Sequence, residues 1–168
     1  MKDNFNAAGV FKRILFCTDF SENANFAFYF ALETAGRNPE SELHLLHIVP
    51  ESDAQFWKSY MYEVDDIDRK AKKDIDDFME HTYFSKVPEH QRFTAEHRVG
   101  NVTREIINYA REKSIDLIII GRQGHHSFGT ALFGRITEKI TRHSECAVMV
   151  VPLTFQRRLE DSGKASPG

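Results

Sequence analysis

Apolar residues in this chain fall into short unbroken runs, separated by longer stretches in which they recur every three or four positions. The runs read as strands buried on both faces, and the spaced stretches read as helices with one buried side. The first run, from Arg13 to Asp19, predicts strand one. Ser21 then supplies a helix N-cap, and Ala24, Ala27, Phe28, Ala31 and Ala35 keep helical spacing as far as Gly36, where a left-handed stop is expected. Leu43 to Val49 predicts strand two, stopped by Pro50, which lacks the N–H that a central ladder needs.

A long crossover follows, in which Val64, Ile67, Ala71, Ile75 and Phe78 share one helical face while Asp65, Asp66, Lys72 and Asp76 lie elsewhere. That is a helix covering a sheet, with a solvated outer side. Phe93 to Val99 predicts strand three, whose Glu96, His97 and Arg98 suit an edge of the sheet. Gly100 and Asn101 open a third helix with Val102, Ile106, Ile107 and Ala110 as its buried stripe. Asp116 to Ile120 predicts strand four, ending at Gly121. A loop through Gly124, Gly129 and Gly134 leads to a fourth helix carrying Ile136, Thr137, Ile140 and His143 on one side, then Ala147 to Val151 as strand five, closed by Pro152.

Alternating strands and helices joined by right-handed crossovers build an α/β fold, here a doubly wound five-stranded parallel sheet with helices on both faces and the order 3-2-1-4-5. Residues 11–153 form the expected domain, 1–10 an N-terminal extension, and the polar residues 154–168 a tail expected to lack structure.

Composition narrows the classes of function. With 168 residues, 41% hydrophobic and 28% charged, the chain has the profile of one ordinary soluble domain, and 14 phenylalanines supply its core. A net charge of −3 disfavours a general nucleic-acid partner. No apolar run reaches the roughly 18 residues of a membrane span, and the first ten residues do not read as a secretory signal. Cys17 and Cys146, both inside apolar runs, read as reduced structural thiols and point to a cytoplasmic location.

Topology selects a place for a ligand. In the order 3-2-1-4-5 the winding reverses between strands one and four, and the crevice at their carboxyl ends is where such sheets bind small molecules. Cys17, Thr18, Asp19 and Phe20 should line one side of its mouth, and Gly121, Arg122, Gln123 and Gly124 the other. Glycines there let backbone N–H groups approach an anion, and a helix starting at Gly134, Arg135 and Ile136 offers further unpaired N–H groups on the same side. Neither the Walker pattern nor the dinucleotide-binding glycine turn is present.

Gly121, two residues, Gly124, nine residues and Gly134 together resemble the phosphate loop of ATP-binding universal stress proteins. The resemblance extends through Arg135 to Val151, through Ile14-Leu-Phe-Cys-Thr-Asp-Phe-Ser-Glu and through Leu45 to Val49. It implies an adenine nucleotide alpha-hydrolase-like fold and ATP with Mg²⁺ on its phosphates. Asp19 would meet the adenine or ribose side, the backbone of Ile48 the base, and residues 121–135 the phosphates. It also implies a cytoplasmic homodimer pairing through strand five, Ala147 to Val151, whose apolar edge would otherwise be exposed. Two positions depart from the family pattern: Cys17 stands where proline is frequent, and Arg135 where a hydroxyl residue follows the third glycine.

The leading reading is a nucleotide-responsive regulatory module. Its rivals are a slow ATPase or nucleotidyl-transfer enzyme in the same crevice, with Asp19, His125, His126 and Arg135 as candidate groups, and a dimeric interaction protein that holds no nucleotide. Asp19 could instead cap the turn that follows it. His125 and His126 read as a solvated loop pair, and His44 and His47 as polar neighbours of the core.

Overall fold

The computed structural model describes residues 9–53, 64–122 and 134–163, with only the backbone course of 64–71. Five parallel strands form one sheet, β1 (Arg13–Thr18), β2 (Glu42–Pro50), β3 (Arg92–Gly100), β4 (Leu117–Gly121) and β5 (Ala147–Val151). Their order is β3-β2-β1-β4-β5, as the alternation of elements implied. β1 is central, with Cys17 opposite Leu46 on one flank and Ile120 on the other.

Successive side chains of a strand point to opposite faces, so each buried run feeds two separate cores. Ile14, Phe16, Leu43, Leu45, Leu117 and Ile119 face α1 (Glu22–Gly36) and the C-terminal part of α2 (Val64–Thr82). Leu15, Leu46, Ile48, Ile118 and Ile120 face α3 (Val102–Glu112) and α4 (Arg135–His143). Ser21 caps α1 by accepting a 3.1 Å bond from the Ala24 N–H, and Asn101 caps α3 in the same way through Arg104. Each cap satisfies one of the donors a helix start leaves unpaired.

β3 occupies an edge, and its charged residues are used there. Arg98 lies 4.8 Å over the Tyr109 ring and reaches Glu96 at 2.7 Å and Glu112 at 2.8 Å, tying the strand to α3. These paired carboxylates, Glu112 foremost, hold the guanidinium well above its ordinary range, and the Arg98 hydrogen bond in turn holds Glu112 below the usual carboxylate range.

Four expectations need correction. α1 does not stop in a left-handed residue: Gly36 is helical and the cap, Arg37, is right-handed at φ −73°. Phe78, assigned to the buried face of the second helix, is 52% exposed because Ile75 and Met79 supply that helix's core contact instead. Ile136 and His143, placed on one side of the fourth helix with Thr137 and Ile140, are exposed, Ile136 to 46%, because only Thr137 and Ile140 face the sheet. Residues 154–168, expected to lack structure, begin with a helix, α5 (Leu153–Asp161). Its half-buried positions include Leu153, Phe155, Gln156 and Leu159, and the Phe155 ring lies 5.8 Å from Phe30 of α1. One aromatic anchor at helical spacing suffices to seat an otherwise polar segment.

Candidate functional site

β1 and β4 lie side by side, so their carboxyl ends bring Cys17, Thr18 and Asp19 next to Gly121 and Arg122. Gly121 is required by space. A Cβ there would sit 3.1 Å from the Asn23 carbonyl carbon and oxygen, so the first turn of α1 packs directly on the end of β4. Arg122 continues the ladder by donating its N–H to the Val151 carbonyl at 3.0 Å. Its side-chain Nε is buried and has no hydrogen-bond partner among the described residues. A guanidinium nitrogen in that state favours an anionic partner.

The turn leaving β1 is held by a chain of buried groups. Tyr83, fully buried, donates its hydroxyl to Asn25 Oδ1 at 2.6 Å. Its single proton being used, the oxygen accepts from Thr18 Oγ1 at 2.5 Å, and Thr18 Oγ1 in turn accepts the Phe20 N–H at 2.9 Å. Burial pushes the Tyr83 phenol up to about 12. Asp19 Oδ1 accepts the Ser21 N–H at 3.1 Å, which is the turn-capping role weighed for it against a ligand role. Between these bonds Phe20 takes a left-handed backbone, φ 61°, an uncommon conformation for a residue with a side chain.

The two histidines of β2 part company because they sit three residues apart and so face opposite sides of the sheet. His44 is buried against α3, where its Nδ1 lies 3.0 Å from the Tyr109 hydroxyl and its Nε2 3.6 Å from Glu42. His47 sits beneath the crevice turn with Nδ1 2.9 Å from the Thr18 carbonyl and its ring 4.4 Å from that of Phe20. Burial lowers the pKa of both imidazoles, Glu42 and Thr18 respectively pulling the other way. Burial also raises the thiols of Cys17 and Cys146, the opposite of what a reactive cysteine needs.

Of the sequence-predicted residues, Cys17, Thr18, Asp19, Gly121 and Arg122 come together, and Ile48 lies at the carboxyl end of the next strand, 6% exposed. Gly134 is the N-cap of α4 with a negative φ of −58°, so no left-handed conformation explains it, and Arg135 and Ile136 are exposed in the first turn beyond. Gln123, Gly124, His125 and His126 lie outside the described residues. Asn23, Asn25 and Tyr83 were missed. For Tyr83 no local signal exists, since its partner Thr18 is 65 positions away. The parity of positions 44 and 47 could have separated the two histidines.

Comparison with known proteins gives the family and the fold. The family model described as the universal stress protein family matches residues 11–152. UspA from Lactobacillus plantarum superposes with a TM-score of 0.66 at 26% identity, covering 84% of this chain and 97% of that one. Universal stress protein MJ0577 of Methanocaldococcus jannaschii is 27% identical over 157 residues, covering 84% of this chain and 95% of its own length. The MJ0577 structure has a TM-score of 0.64 and covers 85% and 96% of the two chains at 25% identity. At 16% identity and a TM-score of 0.53, an Arabidopsis thaliana protein of the family, solved with AMP bound, shares the fold over 84% of this chain and 91% of its own.

Proposed function

This chain belongs to the universal stress protein family, and from that premise we propose that it is an ATP-binding regulatory module whose nucleotide occupies the crevice between β1 and β4. The observation that carries the reading is the buried Arg122 Nε, which has no partner among the described residues, at the crevice mouth beside Gly121. A phosphate oxygen would satisfy it with a charge-assisted bond. α4 begins on the same carboxyl side of the sheet, because it follows β4, and its Gly134 cap offers no side chain to the first N–H groups. These groups suit phosphate as well. The AMP bound to the Arabidopsis thaliana relative supports an adenine nucleotide in this fold.

In this arrangement Arg122 and the α4 N-terminus neutralise phosphate charge, with Mg²⁺ on the phosphates. Asp19, Thr18 and Cys17 lie on the base and ribose side with the backbone of Ile48. Occupancy would change the surface around residues 121–135, which a partner could read. The module would work as a cytoplasmic homodimer through β5, whose Val148, Met149 and Val150 are only half covered in the single chain.

Equilibrium dialysis of ATP against the purified protein tests the reading. Binding below millimolar is expected, and Gly121→Ala, which pushes the α1 turn away, should weaken it by about tenfold, or roughly 1.4 kcal/mol. Absence of binding at millimolar ATP in the wild-type protein would overturn it.

A further inference from the structure

His47 stands outside the ligand set, yet more of the crevice turn depends on it than on any other side chain of β2. Its Nδ1 is 2.9 Å from the Thr18 carbonyl, which can only accept, so the proton is on Nδ1. Its ring supports Phe20, the residue held at φ 61° between Asp19 and the α1 cap. On its other flank the β2–β3 register places it opposite His97, whose Nδ1 is 3.5 Å from Asp76 of α2. The groups around this imidazole are thus the Thr18 carbonyl at the end of β1, Asp19 just beyond it, His97 of β3 with Asp76 of α2, and Phe20 with its ring neighbours Phe78 and Tyr83.

We propose that His47 is a positioning residue for the nucleotide, holding the Thr18 to Ser21 turn, and with it Asp19, in a binding-competent geometry only while its imidazole is neutral. This rests on the nucleotide reading of the crevice. The reason is local. A second proton makes the ring a cation in a half-buried position, where burial and the neighbouring His97 both disfavour the charge. Burial is the largest influence on this group, outweighing the Thr18 carbonyl and Asp19, both of which favour the charged ring. The protonated ring is drawn toward water. Leaving, it gives up the Thr18 carbonyl and the face of Phe20 together, and a left-handed residue that loses its packing relaxes to the right-handed or extended backbone. Asp19, one residue before, moves with it.

Proton uptake and nucleotide binding are then mutually exclusive in part, and linkage makes the effect reciprocal. ATP affinity should fall as pH drops through the imidazole titration, by up to about tenfold per pH unit at the limit. Bound nucleotide should lower the His47 titration further.

The experiment is ATP binding by calorimetry between pH 7.5 and 5.5 in the wild-type protein and in His47→Asn, whose side-chain amide can donate to Thr18 from the place of Nδ1 but does not titrate. The terminal phosphate of ATP titrates in the same range, and its contribution is common to both proteins. The variant has no ring beneath Phe20 and is expected to bind more weakly at pH 7.5, but to lose at least half of the acid decline on a logarithmic scale relative to its own pH 7.5 value. Identical acid limbs in the two proteins would overturn the proposal alone, whereas failure of both to bind at pH 7.5 would overturn the nucleotide reading and this proposal with it. Long-range nitrogen-proton NMR of the wild-type protein gives a check that needs no variant. A neutral His47 with its proton on Nδ1, titrating lower in the presence of ATP, is expected, and the opposite tautomer or an unmoved titration would count against it.

Discussion

Replacing Tyr83 by phenylalanine isolates the buried hydroxyl that joins three elements. The substitution keeps the ring, which lies 4.7 Å from Phe28 and 5.5 Å from Phe16, and removes one oxygen. That oxygen donates to Asn25 at 2.6 Å and accepts from Thr18 at 2.5 Å. Each such bond is worth roughly 0.5–1.5 kcal/mol net, and a buried donor left unpaired costs more than the bond itself was worth. Asn25 is half-buried and can recover a water, but Thr18 is 6% exposed and its hydroxyl proton has nowhere else to go. The loss should therefore be about 2 kcal/mol, dominated by Thr18. For a chain of this size that corresponds to a fall in Tm of roughly 4–8 °C. Urea unfolding followed by circular dichroism measures it. Thr18→Val removes the other end and also strips the acceptor from the Phe20 N–H. Because the two substitutions share one bond, the double variant should cost about 1 kcal/mol less than the sum of the singles. A cost for Tyr83→Phe under about 0.5 kcal/mol, or strict additivity in the cycle, would refute the hydrogen-bond chain.

Two further outcomes are expected. Since burial lowers the His44 and His47 pKa values in the folded state, the unfolded chain binds more protons below its ordinary histidine titration, so stability is full above that pH and declines as pH falls through it. Urea midpoints should be lower at pH 5.5 than at pH 7.5, and the drop should shrink in His47→Asn; a flat profile would contradict the burial of these rings. Cys17 and Cys146, with thiols raised by burial, should react with a disulfide reagent at pH 8 far more slowly than in denaturant, and a rate equal to that of the unfolded chain would place them in the wrong environment.

The strand order was readable because each run of three or more aliphatics, such as Ile118 to Ile120, is too short for a helix and too apolar for a surface. What escaped was set by contacts between distant positions. Phe78 has the spacing of a core residue, and only the placement of Phe20, 58 positions earlier, turns it outward to meet that ring at 4.8 Å. α5 is hidden by its own composition: Gln156, Arg157, Arg158, Glu160 and Asp161 read as a solvated tail, and the seat that Phe30 provides for Phe155 is invisible locally. The crevice was legible in part, since Gly121 follows from topology and spacing. Its support from Tyr83, Asn25 and His47 comes from the turn after α2, from α1 and from β2, and carries no signature along the chain.

The two margins of the sheet have opposite characters, and this bears on how copies of the chain would accumulate. Along β3, Glu96 and Arg98 are tied to α3 and His97 to α2, so a newcomer would have to break these ties to add a strand. Along β5, Val148, Met149 and Val150 are half-covered and carry no charged tie to a helix among the described residues. If the proposed homodimer forms by pairing β5 with β5 about a two-fold axis, the receptive margins are used up within the pair, and crowding would favour that closed pair over addition of further copies.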